Sequence, residues 1–194
     1  MRTRRQEAGQ AVTALVVAAT LLVVGAALAL VYRGSAAASQ ASTIQSGADA
    51  AALAGAQRVA DQAWGKIQAS LNSRRGEWHG NDGFGRAQSY ASRNDTRLTT
   101  YSYFPLADRV EATVTSDFRT ETGSPERASA VAETGRRLAV CIVVTIPGSV
   151  TGYETTATCG DITVDVYVDP SGGTVTLLTP PGQLKKEFRV RLVE

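Results

Sequence analysis

Residues 11–32 (AVTALVVAATLLVVGAALALVY) carry no charge over 22 consecutive positions, and this run limits what the chain can become more than any other feature. At ~1.5 Å per residue, a helix of that length spans roughly 33 Å, enough to cross a hydrocarbon core of ~30 Å. Thr13 and Thr20 are its only strongly polar side chains. Cleaved secretion signals have a shorter apolar region, ~7–15 residues, so the run reads as a retained anchor. The competing signal-peptide reading would use the small residues Ser35–Ala38 as a cleavage site. Arg2, Arg4 and Arg5 precede the run, and positive flanks stay in the cytoplasm. These topogenic arginines predict a single-pass membrane protein with its N-terminus inside and its C-terminal part outside, at the cell surface.

The mean hydropathy of −0.09 averages two unlike regions. The chain has 20 Lys and Arg against 18 Asp and Glu, but residues 1–32 hold three of the arginines and a single acid, Glu7. The part beyond the membrane is therefore neutral, with 17 charges of each sign. The basic pI belongs to the topogenic tail and gives no argument for nucleic-acid binding. The only cysteines, Cys141 and Cys159, lie on the outer side, where such a pair normally oxidises. Closing that loop would contribute roughly 3 kcal/mol on the chain-entropy model. The alternative is two buried thiols on neighbouring strands.

Helical character continues past the anchor. From Ser35 to Asn72 there is no proline, and Ile44, Ala48, Ala52, Ala56, Val59, Ala63, Ile67 and Leu71 recur every three or four residues. This is the stripe of an amphipathic helix. Anchor and stripe form one long helix or two that break near Gly34. Gly47, Ala51 and Gly55 make a second row at spacing four. Such a small-residue ridge admits close approach of another backbone. It predicts a helix-packing interface with another subunit or, equally, a seat for the chain's own sheet.

GEWHGNDGFG, Gly76–Gly85, interrupts the helix and reads as a surface loop, with a short helix to follow over residues 86–93. Beyond it the period changes to two. Val110, Ala112 and Val114 alternate with polar residues, as do Ile162, Val164, Val166 and Val168, and later Phe188, Val190 and Leu192. Leu138, Val140, Ile142, Val144 and Ile146 read as one face of a strand ending at Pro147-Gly148, and Asp169–Gly173 as a turn leading to Val175 and Leu177. Residues 116–136 are polar and read as loop, with a possible short helix at 128–132. Alternation with a polar outer face predicts an antiparallel sheet covered on one side, here by the amphipathic helix. The fold class is α+β. The segments are a basic cytoplasmic tail (1–10), a transmembrane helix (11–32), an amphipathic helix (33–75) and an extracytoplasmic β-rich domain (76–194).

Catalytic chemistry has little to work with. His79 is the only histidine and sits between Trp78 and Gly80 in the glycine-rich loop. Two cysteines and one histidine cannot build a zinc site without several further ligands. P-loop, GxSxG and HExxH patterns are absent. Gly80-Asn81-Asp82-Gly83 lacks the spacing of a calcium loop, and Asn94-Asp95-Thr96 matches a glycosylation sequon. No enzyme activity, cofactor, metal, nucleic acid or small-molecule substrate is predicted.

Glu7-Ala8-Gly9-Gln10 before the apolar run and Ala48–Ala56 (ADAAALAGA) after it resemble the TadE/TadG-like proteins of Flp (Tad) pilus assembly, within that family the TadG-related branch. The resemblance covers residues 5–57. It implies a pilin-like architecture and a non-enzymatic role as a membrane-anchored assembly component or minor pilin-like subunit. Its partners would be other pilus subunits, met through the N-terminal helix. Five residues after Gly9, where pilins processed by prepilin peptidase carry glutamate, stands Ala14. The rival reading is a membrane-tethered binding module unrelated to pili.

Overall fold

The structure is a computed structural model that describes residues 3–73, 77–116 and 125–193, with the side chains of 19–26, 41–73, 77–116 and 125–193. Arg2 and the side chains of Arg4, Arg5 and most of the 11–32 run lie outside what is described. The chain falls into two compact units, Met1–Ser42 and Thr43–Glu194.

The first unit is helical from Thr3 as part of α1 (Thr3–Ser73), and Gly34 does not end the helix. A glycine inside a helix costs only about 1 kcal/mol relative to alanine, and the alanines around it supply the best helix former. Leu21, Leu22, Val23 and Val24 are exposed in succession, Leu22 at 75%. Among the described residues no helix is long and apolar enough to cross a membrane.

The second unit is α+β, with two antiparallel sheets where the alternation had suggested one. Sheet A has strand order β1-β2-β3-β8, from β1 (Thr96–Phe104), β2 (Arg109–Ser116), β3 (Arg127–Glu133) and β8 (Arg191–Val193). Sheet B has order β4-β5-β6-β7, from β4 (Cys141–Val143), β5 (Tyr153–Cys159), β6 (Ile162–Asp169) and β7 (Thr174–Leu177). Two short helices complete the unit, α2 (Phe84–Arg93) and α3 (Pro181–Lys185).

The α1 residues from Thr43 onward unite the sheets. All eight residues of the amphipathic stripe, Ile44 through Leu71, are buried, in one cluster with Val110, Ala112, Val114, Ala130 and Ala132 of sheet A and Ala157, Val164, Val166 and Leu177 of sheet B. Full burial of each large aliphatic side chain contributes about 1.5–3 kcal/mol. Sheet A presents Ala112, Ala130 and Ala132 to a helix that is itself rich in alanine. With no long side chain to hold the layers apart, dispersion contacts run backbone to backbone.

Three strands went unread in the sequence, and each has a local reason. β1 contains a bulge between Leu98 and Thr100, which moves its inward positions from Thr96 to Tyr103 and destroys the alternation. β3, RASAVAE, is alanine-rich and reads as helix, but close packing on α1 requires small side chains on its inner face. β5 turns only Ala157 and Cys159 fully inward, too weak a pattern to detect. The C-terminal alternation at 188–192 yields strand only at Arg191–Val193; Phe188 is buried before β8 begins.

Two aspartates hold the crossing from sheet A to sheet B. Asp108, left-handed at φ 50°, ends the β1–β2 connection. Its carboxylate accepts from the Thr134 amide (2.8 Å), the Thr134 hydroxyl (2.5 Å) and the Gly135 amide (2.8 Å). Burial pushes the Asp108 carboxyl above its usual range against the pull of those donors. On the far side, Asp161 accepts from Arg137 through Nε at 2.9 Å and Nη2 at 3.1 Å, and this guanidinium holds the Asp161 carboxyl below its usual range. Returning from sheet B, the chain bonds the same crossing, with the Arg189 amide donating to the Thr134 carbonyl at 2.9 Å. Gly135, at φ +87°, leaves no room there: a Cβ would stand 2.8 Å from the Arg189 nitrogen.

Replacing Asp108 with Ala orphans two buried amides and strains a left-handed position, which should cost about 2–4 kcal/mol. Asp108→Asn keeps an acceptor and tolerance of positive φ, so urea unfolding should rank wild type above Asn and Asn above Ala. Equal midpoints for wild type and Ala would show that the crossing does not depend on this carboxylate.

Candidate interaction surfaces

The small-residue ridge is turned inward. A Cβ on Gly47 would meet the Thr96 side chain at 2.5 Å, and one on Gly55 would meet the Tyr101 ring at 2.7 Å. Ala51, between them, is fully buried. Of the two uses open to the ridge, the structure has the intramolecular one: β1 occupies the surface on which another helix would have lain. Spacing alone could not separate these uses, because both need small residues on one helical row.

Cys141 and Cys159 are bonded, with Cα atoms 4.1 Å apart as direct cross-strand partners in β4 and β5. The bridge also decides which face of β4 is inside. Cys159 is fully buried, so Cys141 and Val143 turn toward the core and the residues of opposite parity turn out. The face expected to be internal is therefore external: Val140, Val144 and Ile146 are exposed, and Ile142 is 73% exposed. Only Leu138 is buried, because the irregular stretch 137–140 breaks the alternation before β4 starts.

β7 is an edge strand of sheet B, and two amide side chains of α1 close its open side. Gln68 donates to the Val175 carbonyl (2.9 Å) and accepts from the Leu177 amide (2.7 Å). Asn72, one turn on, donates to the same carbonyl (2.9 Å) and accepts from the Val175 amide (3.0 Å). The pair acts as a surrogate strand, satisfying backbone groups that an edge otherwise leaves free. The signal available in the sequence was two amides four residues apart beside an apolar stripe.

A cavity of about 440 Å³ lies on the outer side of the second unit's helix, lined by Ala50, Leu53, Ala54, Gln57, Arg86, Tyr90 and Val190. Below it Asp61 joins three helices, accepting from Arg86 of α2 at 2.9 Å and Lys185 of α3 at 2.8 Å. The Lys185 bond, with help from Gln57 and Arg86, lowers the Asp61 carboxyl below its usual value despite partial burial.

The remaining residues of chemical interest have structural employment. Asp82 bonds Lys66 (2.8 Å) and the His79 amide (2.8 Å), closing the glycine-rich loop on α1. His79 itself is exposed. In the sequon, the Asn94 amide donates to the Tyr90 carbonyl (2.8 Å) and the buried Thr96 hydroxyl to the Ala91 carbonyl (2.9 Å), so both ends of the motif finish α2. Among the described residues no group of acids, histidines and cysteines could hold a metal ion.

Comparison of the chain with protein-family models, with curated proteins and with solved structures finds no match.

The depressed Asp61 carboxyl has a consequence for pH dependence. A carboxyl lower in the folded than in the unfolded chain stabilises above the unfolded value of 3.8, and loses that contribution as pH falls through the folded value. Asp61→Asn should destabilise by about 0.5–1 kcal/mol at pH 7, a partly exposed network being worth little more. The gap from wild type should close below pH 3. A gap unchanged at pH 2.5 would show that Asp61 acts through packing and not through its charge.

Proposed function

We propose that this chain is a membrane-anchored, non-enzymatic structural component of a pilus-type assembly of the TadE/TadG-like kind, with a pilin-like division of labour along its N-terminal helix. The observation that carries the reading is the contrast within α1. Its early part contains a charge-free run with exposed Leu21–Val24, whereas Ile44–Leu71 is the core of an α+β domain. An exposed apolar run of that length is stable in lipid or against other apolar helices, and costly in water. Resemblance over residues 5–57 supplies the family. The absence of an assembled catalytic or metal constellation among the described residues is compatible with a structural role.

Since β1 covers Gly47, Ala51 and Gly55, lateral contact in the assembly falls to the helix's other face, at the Ala50–Leu53–Gln57 groove beside Tyr90. Ala50 is half-buried, so a glutamate there reaches solvent without disturbing the core.

Topology and assembly are testable together. A reporter fused after Glu194 should be active outside the cytoplasm and silent within it; the reverse pattern would overturn the orientation. Ala50→Glu should be exported with its disulfide intact yet disappear from isolated pilus-assembly complexes that retain the wild type. Wild type that never associates with such complexes would overturn the pilus reading, and full retention of Ala50→Glu would remove the groove from it.

A further inference from the structure

The two sheets have four edge strands, β1, β8, β7 and β4, and three are protected. On β1, the Tyr103 amide donates to the Gly80 carbonyl at 2.8 Å, and Arg97 adds a charge. β8 is three residues long and carries Arg191. β7 is closed by Gln68 and Asn72. Short strands, charges and covering groups are the usual means of preventing edge-to-edge pairing.

β4 and its extension have none of these. Residues 138–153 contain no charged side chain. The Val144 amide donates across to the Thr156 carbonyl at 3.1 Å and the Ile146 amide to the Tyr153 hydroxyl at 3.0 Å, so even-numbered backbone groups face β5. Odd-numbered groups must then point to the free side. The Cys141 amide does so, reaching Ser70 Oγ at 3.4 Å. The next outward groups, at Val143 and Thr145, border an open groove of about 490 Å³ between β4, the end of α1 and the β6–β7 turn. Along this edge runs the outward apolar row Val140, Ile142, Val144 and Ile146, and Val150 beyond it is 88% exposed.

We propose that this edge pairs antiparallel with the same edge of a second copy of the chain, joining two copies of sheet B across a two-fold axis near Val143. Charge selects this occupant. Symmetric pairing sets a strand's residues against their own kind, and like charges across strands destabilise. Pairing of β1 or β8 with itself brings Arg97 toward Arg97 or Arg191 toward Arg191. Only β4 combines an open edge with no charge. In a register centred on Val143, the two Val143 residues exchange backbone hydrogen bonds, and Ile142 of each copy lies opposite Val144 of the other. The outer row becomes a set of apolar cross-strand pairs. This inference stands apart from the pilus reading, since it concerns the exported domain's contact with itself.

The test uses the full chain in detergent. Light scattering corrected for detergent should give twice the 20.4 kDa chain mass at high protein concentration. Ile142→Arg changes an exposed side chain and should return the mass to monomer with the disulfide and protease resistance unchanged. Leu178→Arg, also exposed but next to the closed β7 edge, should remain dimeric. In wild type, amide exchange at Val143 and Thr145 should slow as concentration rises, while exchange at Leu192 should not. A monomeric wild type, a dimer that survives Ile142→Arg, or Val143 exchange independent of concentration would each overturn the proposal. If Ile142→Arg shows free thiols, Val144→Lys repeats the test, and the wild-type exchange result decides without either variant.

Discussion

Close approach between the second unit's helix and sheet A is the constraint on which the rest of that unit depends. Gly47 and Gly55 have hydrogens where a methyl would strike Thr96 and Tyr101, and the sheet answers with alanine at 112, 130 and 132. Packing of this kind gains little from any single side chain, because alanine and glycine have little surface to bury. It gains from the number of atom pairs brought to contact distance, and so it tolerates no added bulk. The same helix continues to sheet B, where Gln68 and Asn72 exchange van der Waals packing for directed hydrogen bonds to β7. One element thereby serves two sheets by two different physical means. The Asp108 and Asp161 contacts fix the crossing between them.

Much of this was legible where one physical signal dominated. The stripe from Ile44 to Leu71 predicted the buried face of the helix because nothing else explains apolar residues at that spacing. Two lone cysteines beyond an anchor predicted the bridge on redox grounds. Legibility ended where two requirements shared one pattern. In β3, alanines required by close packing looked like helix propensity. In β4, a row of valines and isoleucines looked like a core face, yet the bridge had already assigned the core to Cys141 and Val143. Parity along a strand is absolute, so one covalent bond outweighed four aliphatic residues. The exposed row that results is a surface feature that hydrophobicity alone assigns to the interior.

The candidate surfaces were harder to read than the fold because each depends on what covers what. Gly47, Ala51 and Gly55 were visible as a ridge, but their occupant is a strand whose bulge concealed it from the sequence. The groove at Ala50, Leu53 and Gln57 is a by-product of where α2 and Val190 come to rest. Residues that looked chemical, His79, Asp82 and Asn94, turned out to belong to loop closure and helix termination or to stand in solvent. The likeness of residues 5–57 to pilus-assembly proteins therefore bears on the anchor and the first turns of the packed helix. The two-sheet domain contributes its own surfaces.

The central claim is that a single helix makes two sheets into one cooperative body, and native-state amide hydrogen exchange tests it most directly. The account predicts that core amides of the helix near Val59, of β2 near Ala112 and of β6 near Val164 exchange with one common opening free energy. That free energy should fall together in all three places when Gly55 is replaced by Leu. Separate free energies for β2 and β6, with Gly55→Leu lowering only the first, would mean that the sheets are independent units and would contradict the account.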